Sequence, residues 1–406
     1  MRHRLQVVAA AFGMAAGVLS AQTLPDAMSE PAAALRLEME QLENLAPTFP
    51  DRGAVLFALA LHLADAGDLQ GALARLKECI PLDEGFDPSR SPQFAPLHGN
   101  PDFEVLCARA RKKSPPVSNA ELAMTISEKE LLPEGFAFDE RRHVFNLGSQ
   151  HLRKIVKVAF EGWETDLFSA DRYSFLPIVG IRVDPSDATI WADSSDRAGK
   201  SELLHLDAAG GLLGRHAPPG SAQHRFSDLA IQKNRDVFIT DGLESRLYRF
   251  DRSSQAYVDV PAHRPFLHPR GITVAGDDHT LFVADDLGIV RIDLSSGASI
   301  DLKPSKTTLA RIEGLYWHRG SLVAVQTGIG SARIIAFRLS AKQDRVGSFT
   351  ILENRSDYTL SPTAGAVAGN DFYFIANSQS DSLPDGKILD SSRLEPIRIG
   401  RIALSE

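Results

Sequence analysis

Between about Ala32 and Lys113 apolar residues recur at helical spacing. Leu35, Met39 and Leu42 repeat at i, i+4 and i+7, Leu56, Leu59, Ala60 and Leu63 form a second stripe, and Ala72, Leu73, Leu76 and Ile80 a third. Gly67-Asp68 separates the second stripe from the third, which predicts a tight helical hairpin. A fourth helix opens at Asn100, whose side chain can cap, with Pro101 in the first turn and Phe103, Leu106, Cys107 and Ala110 on one face. Its basic end, Arg109, Arg111, Lys112 and Lys113, complements the negative pole of a helix. Residues 114–120, with Pro115 and Pro116, read as a linker.

From Glu121 onward the period changes to the alternation of strands, and the sequence repeats itself. The first unit is Pro133-Glu134-Gly135-Phe136-Ala137-Phe138-Asp139, then Val144 to Ser149, then Arg153 to Val158. Later units open around Gly180, Leu229, Gly271, Gly314 and Gly365. Each continues into an apolar second strand: Ile190-Trp191-Ala192, Val237-Phe238-Ile239, Leu281-Phe282-Val283, Leu322-Val323-Ala324 and Phe372-Tyr373-Phe374. Units of about 40–50 residues with four short strands are the pattern of propeller blades. Six openings predict a six-bladed β-propeller over residues 121–406, a mainly β fold preceded by a small α-helical domain over 22–113. Glycine suits five of the six openings, because innermost strands crowd around the axis. Leu122 to Ile126 can supply the fourth strand that the last unit lacks after Leu404, which closes the ring and removes an open sheet edge.

Residues 1–21 read as a secretory signal. Arg2, His3 and Arg4 precede a short apolar run from Leu5 to Leu19, and small Ser20 and Ala21 follow. The run is shorter than the roughly 20 residues of a membrane span, and no later stretch approaches that length. The chain is therefore expected to be exported, periplasmic or extracellular, with no membrane span after cleavage. With 44 Lys and Arg against 52 Asp and Glu, the net charge is −8, which disfavours a nucleic-acid partner. Two cysteines, Cys79 and Cys107, are too few for a disulfide scaffold; they could pair in an oxidising compartment or pack as buried small residues.

The helical hairpin, with Leu56, Leu59-Ala60, Leu63, Gly67-Asp68, Ala72, Leu76 and Cys79, resembles one tetratricopeptide repeat. The segment is either a peptide-docking module or a small domain packed on its neighbour. The blade units, beginning with "PEGFAFD…RKIVKV", resemble six-bladed propellers of the senescence marker protein/gluconolactonase-like superfamily, and also NHL-repeat proteins. That resemblance implies a divalent cation, often Ca²⁺, above the central tunnel and hydrolysis of sugar lactones or related esters. Glu134 matches the first-blade ligand and Glu313 stands for the fifth-blade Asp, so the resemblance implies a metal on Glu134 and Glu313. In Arg225-Phe226-Ser227-Asp228-Leu229 the Arg and Asp of the third-blade motif are kept, but Ser227 replaces the ligand Asn. Arg270 replaces the fourth-blade Asn. An Arg offers only N–H donors and a fixed positive charge, whereas Ca²⁺ wants six to eight oxygens. Arg270 can instead neutralise Glu134 and Glu313 by direct pairing.

Two functions follow. In the first, a central polar pocket binds, and hydrolyses, a small lactone, ester or sugar derivative: Glu134 and Glu313 act as cation ligands or acid/base groups, Asp228 orients water, and Arg270 holds an anionic group, with Arg225 and Ser227 beside them. Second-strand ends add Ser149, His151, Asp193, Asp241, Asp285 and Asn377 to the same rim, where His151 is a potential general base and Asp193 and Asp241 are ligand-binding candidates. In the second, the propeller is a non-catalytic scaffold for a ligand or protein partner, with the helices as a docking module. The polar stretch 378–395, with Asp381, Asp385 and Asp390, is expected on the rim as a lid or partner surface.

Overall fold

A computed structural model describes residues 30–404 apart from 83, 161, 169–171, 234–235 and 384–385. The signal segment 1–21 and Asp385 lie outside the described residues. The chain is mainly β: a six-bladed propeller follows an N-terminal helical segment. The helices are α1 (Glu30–Leu45), α2 (Arg52–Asp65), α3 (Leu69–Cys79) and α4 (Pro101–Lys113). Asp51, Asp68 and Asn100 cap the last three, each accepting hydrogen bonds from first-turn amides. Cys79 and Cys107 are free thiols buried in the helical core. No helix among the described residues is long and apolar enough to cross a membrane.

The blades follow chain order. Their innermost strands are Pro133–Asp139, Ile178–Val183, Phe226–Ile231, Ile272–Val274, Ile312–His318 and Gly365–Ala368. Each packs on the next, and the sixth packs on the first, so the ring is closed. Blades two and five, and likewise three and six, therefore stand opposite one another. Buried apolar clusters fill the seams: Phe136, Phe145 and Leu147 of blade one meet Ile375, Ile397 and Ile399 of blade six. Glu121–Ile126 pairs antiparallel with Ile397–Ala403, so blade six takes its outer strand from the chain ahead of blade one.

Residues 114–120 are fastened rather than loose. Val117–Ser118 pairs with Glu353 and Asn354 as a fifth strand on blade five, and Glu353 accepts from the amides of Asn119 and Ala120, both at 2.7 Å. The helices are docked too. Asp51, fully buried, accepts from the Thr308 hydroxyl and the Leu309 amide, each at 2.8 Å. Leu287 of blade four inserts among Leu42, Phe49, Val55 and Leu59. Asp87 bonds Ile329 through its amide and Arg355 through its carboxylate.

Candidate functional site

A detail of strand geometry decides which side chains reach the tunnel mouth. Four innermost strands begin with a one-residue register irregularity against the second strand: between 133 and 135, 178 and 180, 226 and 228, and 312 and 314. The extra residues are Glu134, Val179, Ser227 and Glu313. A bulge turns its residue out of the ladder and re-aims the side chain. All four line one cavity of about 1680 Å³ at this end of the tunnel. The irregularity also shifts the third opening: Asp228, not Leu229, is the counterpart of Gly135, Gly180 and Gly314.

The cavity draws on all six blades and on two further segments. Arg90, ending the short 3-10 turn Pro88–Arg90, brings in the helical segment, and Ser378, Ser380, Asp381, Leu383 and Lys387 bring in the long blade-six loop. That loop lies on the rim as expected. It is anchored by Leu383 and Leu394 packed on Leu132, and by paired bonds between Gln379 and Glu395.

At the centre Arg270 donates from Nη1 to Oε1 of Glu313, which also accepts from Thr327 at 3.1 Å. Glu134 makes no side-chain hydrogen bond among the described residues. Burial, and then the negative charge of Glu313, push its carboxyl up to about 7, against the opposing pull of Arg270 and Arg197. Asp228 is buried and committed: its carboxylate accepts from Arg182 at 2.9 Å, from the Leu229 amide and from the Ile272 amide. Burial raises it, and Arg182 draws it back. Arg225 lines the cavity with its side chain exposed, and the Ser227 hydroxyl donates to the Arg225 carbonyl at 3.3 Å. His151 lies on the rim.

Asp193 and Asp241 do not reach the cavity. Asp241 is fully buried, holding His224 at 2.6 Å and the amides of Arg225, Leu243 and Glu244. It shapes the turn after its strand, as Ser149 and Asp285 do in their blades, while Asn377 ties together the two ends of the blade-six loop through the Pro396 carbonyl and the Arg398 amide. Asp193 sits one register position earlier, opposite Gly180, so its side chain takes the other face and lies behind the wall, fully buried. Burial and the charge of Asp228 raise its pKa well above the usual range.

Several lining residues escaped the sequence reading. Arg182 and Tyr316 stand two positions after Gly180 and Gly314, where strand alternation returns side chains to the tunnel face, and that alternation was the available signal. His268 hydrogen-bonds Asp286 at 3.0 Å, and that bond raises its pKa. Arg90, Arg153, Arg197 and Lys387 arrive on loops, with no periodicity to mark them.

The residues present do not fit the calcium site of the resemblance. Arg270 lies in the ring with N–H donors only, its partner Glu313 is already neutralised, and Ser227 contributes a single hydroxyl turned to a backbone carbonyl. Among the described residues no group of three or more His, Cys, Asp or Glu gathers as a metal-ligand set.

No protein-family model matches the chain, and no curated protein does. Solved structures do match in fold. A streptogramin B lyase is similar with TM-score 0.50 and 16% identity, over 71% of this chain and 87% of that one. The major Malassezia sympodialis allergen Mala s 1 is similar with TM-score 0.53 and 14% identity, over 70% of this chain and 96% of that one. A gluconolactonase from Xanthomonas campestris aligns at TM-score 0.48 and 15% identity, over 71% and 91%, too loosely to carry an argument. At these identities the likeness is one of fold: a six-bladed propeller.

Proposed function

We propose that this chain is an exported hydrolase of the gluconolactonase-like kind that opens a small lactone or ester without the calcium ion of that family. The observation carrying this reading is Glu134, a carboxyl near neutrality in a solvent-reaching cavity beside the Arg270–Glu313 pair. A general base works best when its pKa lies near the working pH. Glu134 takes a proton from water, and the hydroxide adds to the substrate carbonyl carbon. Arg270 has N–H groups beyond the one given to Glu313 and stabilises the oxyanion that forms. Collapse breaks the carbonyl carbon–oxygen bond, and Glu134 returns its proton to the leaving alkoxide, giving the hydroxy acid. In this reading Asp228 holds Arg182 in the tunnel wall.

The test is a lactone and aryl-ester panel on wild type and Glu134→Gln, with added Ca²⁺ and with chelator. Turnover should fall at least about a hundredfold in the variant, rise with pH through about 7 in the wild type, and ignore Ca²⁺. Equal activity in the variant removes Glu134 from the mechanism. The neutralised Arg270–Glu313 pair also suits a binding-only scaffold, and saturable binding with no turnover across the panel would establish that reading instead.

A further inference from the structure

The cavity carries an imbalance of charge that the chain as a whole does not. Arg90, Arg153, Arg197, Arg225 and Lys387 all line it and are exposed, and among the described residues none makes a side-chain hydrogen bond or ion pair. Five acids line it as well: Glu313 and Asp228 are paired with arginines, Glu134 is raised toward neutrality, Asp196 accepts from the amides of Ala198 and Lys200, and Asp381 stands on the blade-six loop. Against Asp196 and Asp381, the five cations still leave a positive excess around this opening, in a chain of net charge −8.

These cations come from opposing directions. Arg197 follows the second strand of blade two, and Arg90 stands over blade five, pinned there because Asp87 bonds Ile329 and Arg355. Arg225 opens blade three, and Lys387 lies on the loop of blade six. Cations supplied by blades one, two, three and six, and by the helical segment over blade five, surround the opening rather than cluster at one point, so the arrangement suits a ligand with several negative groups. The volume agrees, since about 1680 Å³ exceeds the roughly 300–1,000 Å³ that encloses a drug-sized molecule. Between the cations the wall is hydroxylic, with Ser227, Thr327, Thr359, Ser361, Thr363 and Ser378. Its rings, Phe136, Phe226 and Tyr316, are buried, which leaves no platform for stacked bases.

Resting on the reading of this cavity as the ligand site, we infer that the ligand is an acidic oligosaccharide of two or more rings bearing carboxylates. Arginines of opposing blades grip it, and the helical segment supplies one of them, Arg90. Guanidinium groups pair planar carboxylates through two parallel hydrogen bonds, whereas esters of the same sugars offer no charge. The helices are then part of the binding site rather than an appendage.

Calorimetry on the full chain, in its Glu134→Gln form to stop turnover, compares a galacturonic acid trimer, its methyl ester and a neutral glucose trimer. The acid should bind at least about tenfold tighter than its ester, and raising salt from about 0.05 to about 0.5 M should erase most of that preference. Arg90→Gln, Arg197→Gln and Arg225→Gln should each weaken the acid about five- to tenfold and leave the ester unchanged, with Arg90→Lys recovering part of the loss. Equal affinity for acid and ester, an unaffected Arg90→Gln with its fold intact by circular dichroism, or preference for a sulfated trimer or a single-stranded oligonucleotide overturns the inference. Lactone turnover by the wild type is measured separately, so this proposal can fail while the hydrolase reading stands.

Discussion

Glu134 and Glu313 occupy equivalent extra residues on neighbouring-in-kind strands, yet their surroundings set them to different tasks. Glu313 meets Arg270 and Thr327, while Glu134 keeps the more distant pull of the same guanidinium and of Arg197. That asymmetry has a measurable sign. Arg270 lowers the pKa of Glu134, so Arg270→Gln should move the midpoint of the pH–rate profile upward from about 7 as well as slowing turnover. An unmoved midpoint would detach the profile from Glu134. Gly330 makes a second residue-level case. It has φ +108°, and a Cβ there would lie 1.8 Å from the Asp87 carbonyl oxygen. Gly330→Ala should therefore cost about 2–4 kcal/mol and loosen the turn that carries Arg90, visible as faster amide exchange around residues 86–90.

Strand spacing made the six blades and their closure legible, because openings 42 to 51 residues apart leave little else to build. The pairing of Glu121–Ile126 with Ile397–Ala403 bears out the expected ring closure. Ile126 is fully buried in the seam between blades six and one, so Ile126→Asp should cost about 3 kcal/mol or more and lower the melting temperature by several degrees. A melt identical to wild type would mean the outer strand contributes little. Site residues at strand starts were legible for the same reason: Glu134, Ser227, Asp228, Arg270 and Glu313 do share one cavity. Of the second-strand set His151 lines it too, but the others do not, because one register step sends a side chain to the opposite face. Asp193 and Asp241 look alike in sequence, but one lies behind the wall and the other caps a turn. Loop residues such as Arg197 depend on how distant segments fold together, and nothing local announces them.

At the scale of the molecule, the docked helices bury acids against the propeller. Glu84 is pushed up to about 7 by burial and by the charge of Asp51, and Asp51 itself to about 6 by burial. Arg333, buried beside them on blade five, donates to Gln326 and Thr307. A carboxyl raised on folding holds its proton more tightly in the folded state. Stability from Glu84 therefore declines as pH climbs from about 4.5 to about 7 and is level above that. Thermal unfolding should show a more stable protein at pH 5 than at pH 7.5, and Glu84→Gln should flatten that difference; an unchanged slope would assign it to other groups. The docking itself was not readable from helical periodicity, which gives each helix a buried face without naming what covers it.

The pairing of Glu121–Ile126 with Ile397–Ala403 also orders events in time. Glu121–Ile126, made before any innermost strand, waits for Ile397–Ala403, so the ring cannot close until residue 403 has been made. Contacts so distant along the chain make folding slow. Until then the inner blades present open strand edges to any other chain nearby. A newly made chain thus spends an interval as an unclosed, sticky arc, and its yield in expression should depend on how well that interval is chaperoned.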